Sequence, residues 1–344
     1  MINDGLINFL KSAVSSIGPS GAEEVVQALF KDFVSPFVDE VYEDVLGNCV
    51  AHKAGQGEKV MLVAHADEIG FIVHHIDENG FVYIREIGGV DTNLLPGREL
   101  CIEGLNGQKV CGVVGKQPIH LQEKGKAREW ECEDLWVDLG VKSKEEALKL
   151  VDIGCYASFP SNEQFFPSGR IKSKALDNRS GLTVLAGVAQ ALKGLSLNCD
   201  LYLVASVQEE LGARGAKTAA EQIQPDKAIA FDVTHATDYP SMSPIKHGNV
   251  QLDGGAVVAY GPNLDKELTE DLCKAAQSAG VGLQKEVIAR PTGTDINPIQ
   301  ICGLGVKTAL LSIPCRYMHT PVEMVSLNDI ESAIQTMIKY LINK

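Results

Sequence analysis

The cysteines of this 344-residue chain lack the spacing that marks a disulfide framework or a zinc knuckle. There are nine of them, an odd number, and no two lie within four residues of each other. Disulfide scaffolds and zinc knuckles instead repeat cysteines at short, regular intervals. We therefore expect reduced, mostly buried thiols and a cytoplasmic protein.

Long hydrophobic runs are also missing. No uninterrupted apolar stretch approaches the roughly 18 to 20 residues that a membrane-spanning helix needs. The N-terminus, Met-Ile-Asn-Asp-Gly, lacks the basic region and the apolar core of a secretory leader. The sequence thus predicts a soluble chain without a membrane partner.

Positive charge is scarce, because 31 Lys and Arg residues oppose 45 Asp and Glu residues, for a net charge of -14. Phosphate backbones and anionic membranes repel such a surface, so we expect no nucleic-acid partner. A Gly-x-Ser-x-Gly elbow is absent, and none of the cysteines has a sequence signature for catalysis. A serine or cysteine nucleophile therefore has little support.

Three short apolar runs, by contrast, each lead into acidic or histidine residues. Such runs are typical of buried strands in an α/β sheet, and ligands bind just beyond the carboxyl ends of these strands. The runs are residues 61–64, followed by His65 and Asp67; 201–207, followed by Glu209 and Glu210; and 228–231, followed by Asp232. The pattern predicts a binding site at one edge of a sheet.

Asp177, just ahead of a predicted helix, and His319, in a loop after an apolar strand, complete a set of two histidines with several carboxylates. Imidazole with carboxylate suits Zn, Co or Mn, whereas an all-oxygen set would favour Mg or Ca. The set is typical of a hydrolytic site with two divalent cations.

Each residue taken alone also has an ordinary structural explanation. His65 and Asp67 could simply end a strand, and the two glutamates could be a solvated pair. Asp177 could be a first-turn acid favoured by the helix dipole. A dinuclear site, however, gives every member a role: one glutamate binds metal while the other takes a proton from water and passes it to the leaving group.

The distribution of segments predicts an α/β fold with an insertion. Two amphipathic helices come first, at residues 5–16 and from a capping Ser20 to about residue 33. From 71 to 165 the sequence changes to short alternating segments punctuated by glycine, which indicates a β-rich module. We expect a discontinuous catalytic domain, 1–70 and 166–344, interrupted by the β domain at 71–165.

Two other functions remain open at this stage. A glycoside hydrolase also needs two carboxylates, although it does not explain two histidines. A catalytically silent assembly or peptide-binding protein could keep the same fold. Release of free amino acids against release of reducing sugar would separate peptidase from glycosidase.

Several motifs together make the chain similar to the FrvX-like glutamyl aminopeptidase family. This family includes the tetrahedral aminopeptidases, and some members carry an endoglucanase label. The resemblance spans nearly the whole length and rests on the segments Val-Ala-His-Ala-Asp-Glu-Ile-Gly-Phe at 63–71, Asp-Leu-Trp-Val-Asp-Leu-Gly at 134–140, Lys-Ala-Leu-Asp-Asn-Arg at 174–179, Gln-Glu-Glu-Leu-Gly at 208–212, Phe-Asp-Val-Thr-His at 231–235, Gly-Thr-Asp at 293–295 and Arg-Tyr-Met-His at 316–319.

The resemblance implies an enzyme that releases N-terminal residues from peptides with two divalent ions per subunit, zinc first and cobalt or manganese as alternatives. It implies a mixed-sheet, zinc-peptidase-like domain and an inserted β-barrel-like domain used for assembly, from dimers to twelve-subunit shells. It also implies a cis peptide bond between Asp177 and Asn178. The implied roles are one metal on His65 and Asp232, the other on Glu210 and His319, Asp177 as the bridge, Glu209 as general base and Asp67 orienting His65.

Overall fold

The computed structural model describes residues 2–121 and 129–342. Its α-helices, numbered in chain order, are α1 (Asp4–Ser15), α2 (Glu24–Val34), α3 (Lys144–Ala147), α4 (Leu176–Ala191), α5 (Arg214–Ile223), α6 (Pro244–His247), α7 (Lys266–Ala279), α8 (Ile296–Gln300) and α9 (Leu327–Ile342). Its strands are β1 (Glu40–Glu43), β2 (Cys49–Lys53), β3 (Lys59–His65), β4 (Gly70–Ile76), β5 (Val82–Ile87), β6 (Glu99–Glu103), β7 (Lys109–Gly115), β8 (Trp136–Asp138), β9 (Tyr156–Ser158), β10 (Gln164–Phe165), β11 (Arg170–Ser173), β12 (Asp200–Ser206), β13 (Lys227–His235), β14 (Ala256–Tyr260), β15 (Leu283–Val287), β16 (Lys307–Cys315) and β17 (Glu323–Ser326).

An eight-stranded mixed sheet, in the order β1-β2-β12-β3-β13-β16-β14-β15, forms the larger part of the fold. The four central strands β12, β3, β13 and β16 are parallel. Strand β2 runs antiparallel to both of its neighbours, whereas β14 is antiparallel to β16 and parallel to β15. The carboxyl ends of the parallel strands therefore meet at one edge of the sheet, where polar residues that follow them come together.

Strand β3 shows why the central sheet is covered on both faces. Its residues from Val60 to His65 are all buried. Val60, Leu62 and Ala64 pack into a core cluster with α1, α2, α4 and α9, whereas Met61 and Val63 pack into a second cluster with α5 and α8. Successive side chains of a strand point to opposite faces, so a continuous apolar run needs helices on both sides.

Helix α4 lies between the sheet and the outer helices α1 and α9. Its residues from Leu176 to Ala189 are all buried. The helix is therefore enclosed on all sides, and the end that carries Asp177 lies inside the protein. None of the helices in the described ranges combines the length and apolarity needed to cross a bilayer.

A closed barrel of six strands, in the order β4-β5-β8-β7-β6-β9, follows β3 in the chain. It has its own apolar core, which includes Phe71, Ile84, Leu100 and Val137. A third, small sheet of β10, β11 and β17 lies beside the larger domain. The predicted fold class, a mixed α/β sheet with a barrel-like insertion, is confirmed.

The entry into α2 differs from the sequence-based expectation. Helix α2 begins at Glu24, and no side chain caps it. The Ser20 hydroxyl instead donates to the Asp67 carboxylate at 2.6 Å. The predicted capping role of Ser20 was therefore wrong: the helix begins four residues later, and the Ser20 hydroxyl donates to the buried Asp67 carboxylate, which is a strong acceptor.

A buried ion pair joins the barrel to the sheet. The Glu68 carboxylate accepts hydrogen bonds from Lys174 Nζ at 2.6 and 2.7 Å, from the Gly18 N–H at 3.0 Å and from Ser158 Oγ at 2.8 Å. Ser158 ends the last barrel strand, while Gly18 precedes α2. One carboxylate thus ties together the N-terminal helices, the sheet edge and the barrel.

Lys174→Met is expected to lower the free energy of unfolding by about 3–5 kcal/mol, because it leaves the Glu68 charge buried without its nearest cation. Urea unfolding at fixed protein and metal concentration measures the effect. Lys274→Met is the control, since Lys274 pairs with Asp271 on the open surface; its unfolding midpoint should match the wild type. Equal midpoints for all three proteins would contradict the importance of the buried pair.

Candidate metal centre

The structure brings together all seven residues that the sequence analysis selected. His65 ends β3, and Asp232 lies on the neighbouring β13. Glu209 and Glu210 follow the end of β12, whose Ser206 is level with His65. Asp177 lies in the first turn of α4, and His319 in the loop after β16. The rings of the two histidines contact the side chains of Asp177, Asp232 and Glu210, and Asp67 accepts hydrogen bonds from the backbone of both glutamates.

Asp177 is at the centre of the site. Its Oδ1 lies 3.2 Å from His65 Nε2, and its Oδ2 lies 3.4 Å from His319 Nε2. A second carboxylate faces each ring: Asp232 Oδ1 is 3.7 Å from His65 Nε2, and Glu210 Oε1 is 3.4 Å from His319 Nε2. The site therefore consists of two groups of ligands, each with one histidine and one carboxylate, that share Asp177.

The spacing of these donor atoms fits bound divalent ions. A tetrahedral zinc ion with bonds of about 2.0–2.1 Å separates its nitrogen and oxygen ligands by roughly 3.4 Å. The observed separations run from 3.2 to 3.7 Å. His65, Asp177 and Glu210 each offer a ligand atom, and these atoms lie within 4.8 Å of one another. Imidazole and carboxylate donors are the set preferred by zinc and similar ions.

Hydrogen bonds at the opposite ring nitrogens orient both histidines. His65 Nδ1 lies 3.3 Å from Asp67 Oδ1 and 3.2 Å from the Asp67 carbonyl oxygen. His319 Nδ1 lies 2.9 Å from the carbonyl oxygen of Gly89. An acceptor at Nδ1 keeps the proton there and leaves the Nε2 lone pair for a ligand. Both Nε2 atoms point toward Asp177.

Gly89 belongs to the segment between barrel strands β5 and β6, so the barrel contributes directly to the site. A Cβ atom on Gly89 would lie 3.0 Å from His319 Nδ1, and one on Gly88 would lie 3.2 Å from the Cβ of Glu210. Glycine permits this close approach of a backbone to the two side chains. The sequence analysis interpreted the glycines of residues 71–165 only as punctuation between short segments and missed this contact.

Asp67 does more than contact His65. Its Oδ1 accepts from the Glu209 N–H and its Oδ2 from the Glu210 N–H, both at 3.0 Å. Gln208, just before the pair, adopts a left-handed conformation with φ of 55°. The chain thus leaves the strand, and the buried Asp67 carboxylate holds the backbone of both glutamates where their side chains can reach one site.

A family model for the M42 glutamyl aminopeptidases matches residues 47–336. The chain belongs to this family. It is 37% identical to the lysyl aminopeptidase of Pyrococcus furiosus, over 95% of this chain and 94% of that protein. Among solved structures, it resembles aminopeptidase APDkam598 of Desulfurococcus kamchatkensis (TM-score 0.92, 34% identity, 98% and 95% of the chains) and the TET1 peptidase of Pyrococcus horikoshii (TM-score 0.88, 30% identity, 98% and 100%).

As a member of the M42 family, the protein is a metal-dependent aminopeptidase, that is, a peptide hydrolase. The glycosidase and the catalytically silent alternatives are not favoured by these matches. The Asp177–Asn178 peptide bond is cis, which confirms the expectation drawn from the resemblance.

This M42 chain also places two carboxylates at the site to which the sequence analysis assigned no role. Glu323 accepts from the Asp177 N–H at 3.0 Å and from the His319 N–H at 2.9 Å. Asp295 accepts from the Ser206 hydroxyl through Oδ2, and its buried Oδ1 has no hydrogen-bond partner among the described residues. The sequence offered one signal for Glu323: it is an acid at the start of a short strand, four residues after His319.

The electrostatics of the site reflect an excess of buried negative charge. Burial, with neighbouring carboxylates, raises the pKa of Glu209 to about 10, that of Glu210 to about 8 and that of Asp295 to about 7. The hydrogen bond to Asp177 raises the pKa of His319 to about 9. Although burial opposes it, contact with both histidines holds the pKa of Asp177 below its usual range. Bound cations would neutralise this charge and return the carboxyl groups to their ionised forms.

Proposed function

We propose that this M42 aminopeptidase removes N-terminal residues from peptides with two divalent metal ions, both of which Asp177 would help to hold. The observation that carries the proposal is the position of the Asp177 carboxylate, with Oδ1 and Oδ2 each facing a different histidine at 3.2 and 3.4 Å. In this assignment His65 and Asp232 hold one ion, and Glu210 and His319 hold the other. Zinc fits the donors best, with cobalt or manganese as alternatives.

The two ions, when bound, supply Lewis acidity that polarises the scissile carbonyl and makes water nucleophilic at neutral pH. The chain supplies the proton transfers. Glu209 Oε2 lies 4.0 Å from His65 Nε2, farther than the carboxylates assigned as ligands. An unliganded carboxylate at this position takes the proton from the attacking water and delivers it to the leaving amine. Asp67 fixes Glu209 through its N–H and orients the ring of His65.

Hydrolysis assays on the full-length protein test the activity. Protein supplied with Zn²⁺, Co²⁺ or Mn²⁺ should release free amino acids from unblocked tripeptides and should not act on the same peptides with an acetylated N-terminus. A panel of aminoacyl chromogenic substrates, including lysyl, glutamyl and leucyl, then ranks the preferred residue. Release of reducing sugar from a β-glucan, with no amino acid released from any peptide, would reject the proposal in favour of a glycosidase.

We further propose that the chain forms a homo-oligomer, from dimer to twelve subunits, through the barrel domain at residues 71–165, with 1–70 and 166–344 as the catalytic domain. Two observations support this. The similar TET1 peptidase of Pyrococcus horikoshii assembles into a tetrahedron or an octahedral shell. The barrel side of this chain leaves Val113, Ile119 and Leu121 52%, 70% and 69% exposed. Burial of these side chains against another copy of the chain would remove apolar surface from water.

Light scattering is expected to give a mass that is a multiple of 37.0 kDa. The double substitution Ile119→Glu with Leu121→Glu should reduce the subunit number, because it places charge in the proposed contact. The matched control is Ile301→Glu with Leu304→Glu, since both side chains are also largely exposed but lie outside the barrel. Dissociation by the control pair instead of the barrel pair would move the interface away from the barrel.

A cytoplasmic location is part of the same proposal. It is supported by the cysteines, all nine of which are free, with most of them buried. Free thiols in this number are typical of a reducing compartment. Fractionation of cells that express the chain, followed by detection of metal-dependent aminopeptidase activity, tests the location.

A further inference from the structure

Glu323 contacts two of the proposed metal ligands through their backbones. It begins β17, and only 2% of it is exposed. One carboxylate oxygen, Oε2, accepts from the N–H of Asp177 at 3.0 Å, and the other, Oε1, accepts from the N–H of His319 at 2.9 Å. The two oxygens of one side chain thus join the start of α4 to the loop after β16.

The strand that carries Glu323 is also next to both ligand-bearing segments. On one side, Glu323 is paired with Ser173 of β11, which leads into the turn before Asp177. On the other side, Met324 forms an isolated bridge with Arg316, three residues before His319. Strand β17 therefore sets the separation of the two segments. The Glu323 carboxylate, through its two hydrogen bonds, also fixes the backbones of Asp177 and His319.

The loop of His319 needs such support. His319 and Tyr317 have φ angles of 61° and 60°, in the left-handed region that residues with a side chain disfavour. Among the described contacts, the backbone N–H of His319 donates to Glu323, while its ring donates to the Gly89 carbonyl. One bond fixes the backbone and the other fixes the ring, so Nε2 faces Asp177 and Glu210.

We infer that Glu323 is a positioning residue that sets the geometry of the metal position formed by Asp177, His319 and Glu210. The inference rests on the proposed function, because it assumes that these side chains bind metal. A carboxylate suits the task because both of its oxygens accept, whereas an amide would turn an NH₂ group toward one of the two N–H donors. Substitution should therefore weaken one metal position more than the other.

Calorimetric titration of the metal-free, full-length protein with Zn²⁺ tests the inference. The wild type should bind two ions. Glu323→Gln should weaken one of them by about 10- to 100-fold, the usual effect of losing a group that orients a ligand. Turnover of the variant should approach the wild-type kcat at high metal concentration, since the catalytic groups remain. The other ion should bind with nearly unchanged affinity.

Asp329→Asn is the matched control. Asp329 is also fully buried, and its two oxygens accept from the N–H groups of Asp253 and Gly255 at 2.9 and 2.7 Å, away from the proposed ligands. The Asp329→Asn variant loses the same kind of hydrogen bond, so its stability should fall. It should nevertheless bind both ions as the wild type does. If Glu323→Gln does not fold, Glu323→Asp keeps both acceptors one methylene further back and should show a smaller weakening of the same ion.

Unchanged affinity for both ions in the Glu323 variants would overturn the inference, as would equal weakening in Asp329→Asn. Failure of the proposed function looks different. In that case the wild type itself would bind no pair of ions or would hydrolyse peptides equally well without them. A wild type that binds two ions, with Glu323 variants that bind both equally well, rejects only the positioning role.

Discussion

Glu209→Gln is expected to keep both metal ions and to lower kcat for peptide hydrolysis by roughly 10² to 10⁴-fold, the usual contribution of a general base. The substitution removes the group that accepts a proton and leaves the shape of the side chain. Asp67 holds the backbone N–H of Glu209 at 3.0 Å, and this contact does not depend on the side chain. The positions of the proposed metal ligands should therefore be unchanged.

Glu210→Gln provides the contrast, because Glu210 faces His319 Nε2 at 3.4 Å, whereas Glu209 lies 4.0 Å from His65 Nε2. A neutral amide is a poorer ligand than a carboxylate, so this variant should lose about one ion per subunit and regain part of its turnover in excess metal. Metal content by mass spectrometry and kcat are measured on both variants. If Glu209→Gln loses metal while Glu210→Gln keeps both ions, the two roles are reversed; if neither changes kcat, the active site lies elsewhere.

Prolonged chelation is expected to abolish peptide hydrolysis, and addition of Zn²⁺, Co²⁺ or Mn²⁺ to restore it. The reason is that the proposed nucleophile is a water that the metal ions would activate, and the chain alone supplies no Lewis acid to polarise the scissile carbonyl. Burial raises the pKa of Glu209 to about 10 and that of Glu210 to about 8, so removal of the cations also makes the site less suited to ionised carboxylates. Mg²⁺ and Ca²⁺ should restore little activity, because they prefer all-oxygen sites.

The same experiment has a stability readout. A ligand that binds only the folded chain stabilises it by about 2.7 kcal/mol at a concentration of 100 times Kd. The unfolding midpoint of the chelated protein should therefore rise with added Zn²⁺, in parallel with activity. A protein shown to be metal-free that retains full activity would contradict the metal-dependent mechanism, whatever its unfolding midpoint.

Local sequence patterns were sufficient to predict an α/β fold with a β-rich insertion and to locate the candidate site. Buried strands of a mixed sheet need apolar runs, and the residue at which each run ends lies at the edge of the sheet. His65, Asp232 and the glutamate pair could be found for this reason, although their individual roles stay predictions. A β-rich module could be expected because the segments from 71 to 165 are short, alternate between apolar and polar residues and are separated by glycine turns. Its barrel-like form was implied only by the family resemblance.

Contacts between distant segments could not be found in this way. Ser20 looks like a helix cap in sequence, yet its hydroxyl donates to Asp67, 47 residues away. The Gly89 carbonyl reaches His319 from the barrel, 230 residues earlier in the chain. Local spacing carries no information on which side chain meets which backbone group across such distances, because the packing of whole elements decides it.

The sequence by itself determined which acids and histidines follow the apolar runs, since burial of such runs in a sheet is a local requirement. It did not determine the end of every strand, because β13 continues past Asp232 to His235. Only the tertiary structure decided how these residues are held: Asp67 under the two glutamates, Gly89 behind His319, and Glu323 between Asp177 and His319. Each of these acceptors serves backbone or ring donors from a remote part of the chain. Their positions follow from the packing of β17, α4 and the barrel around one sheet edge, which no single segment of sequence specifies.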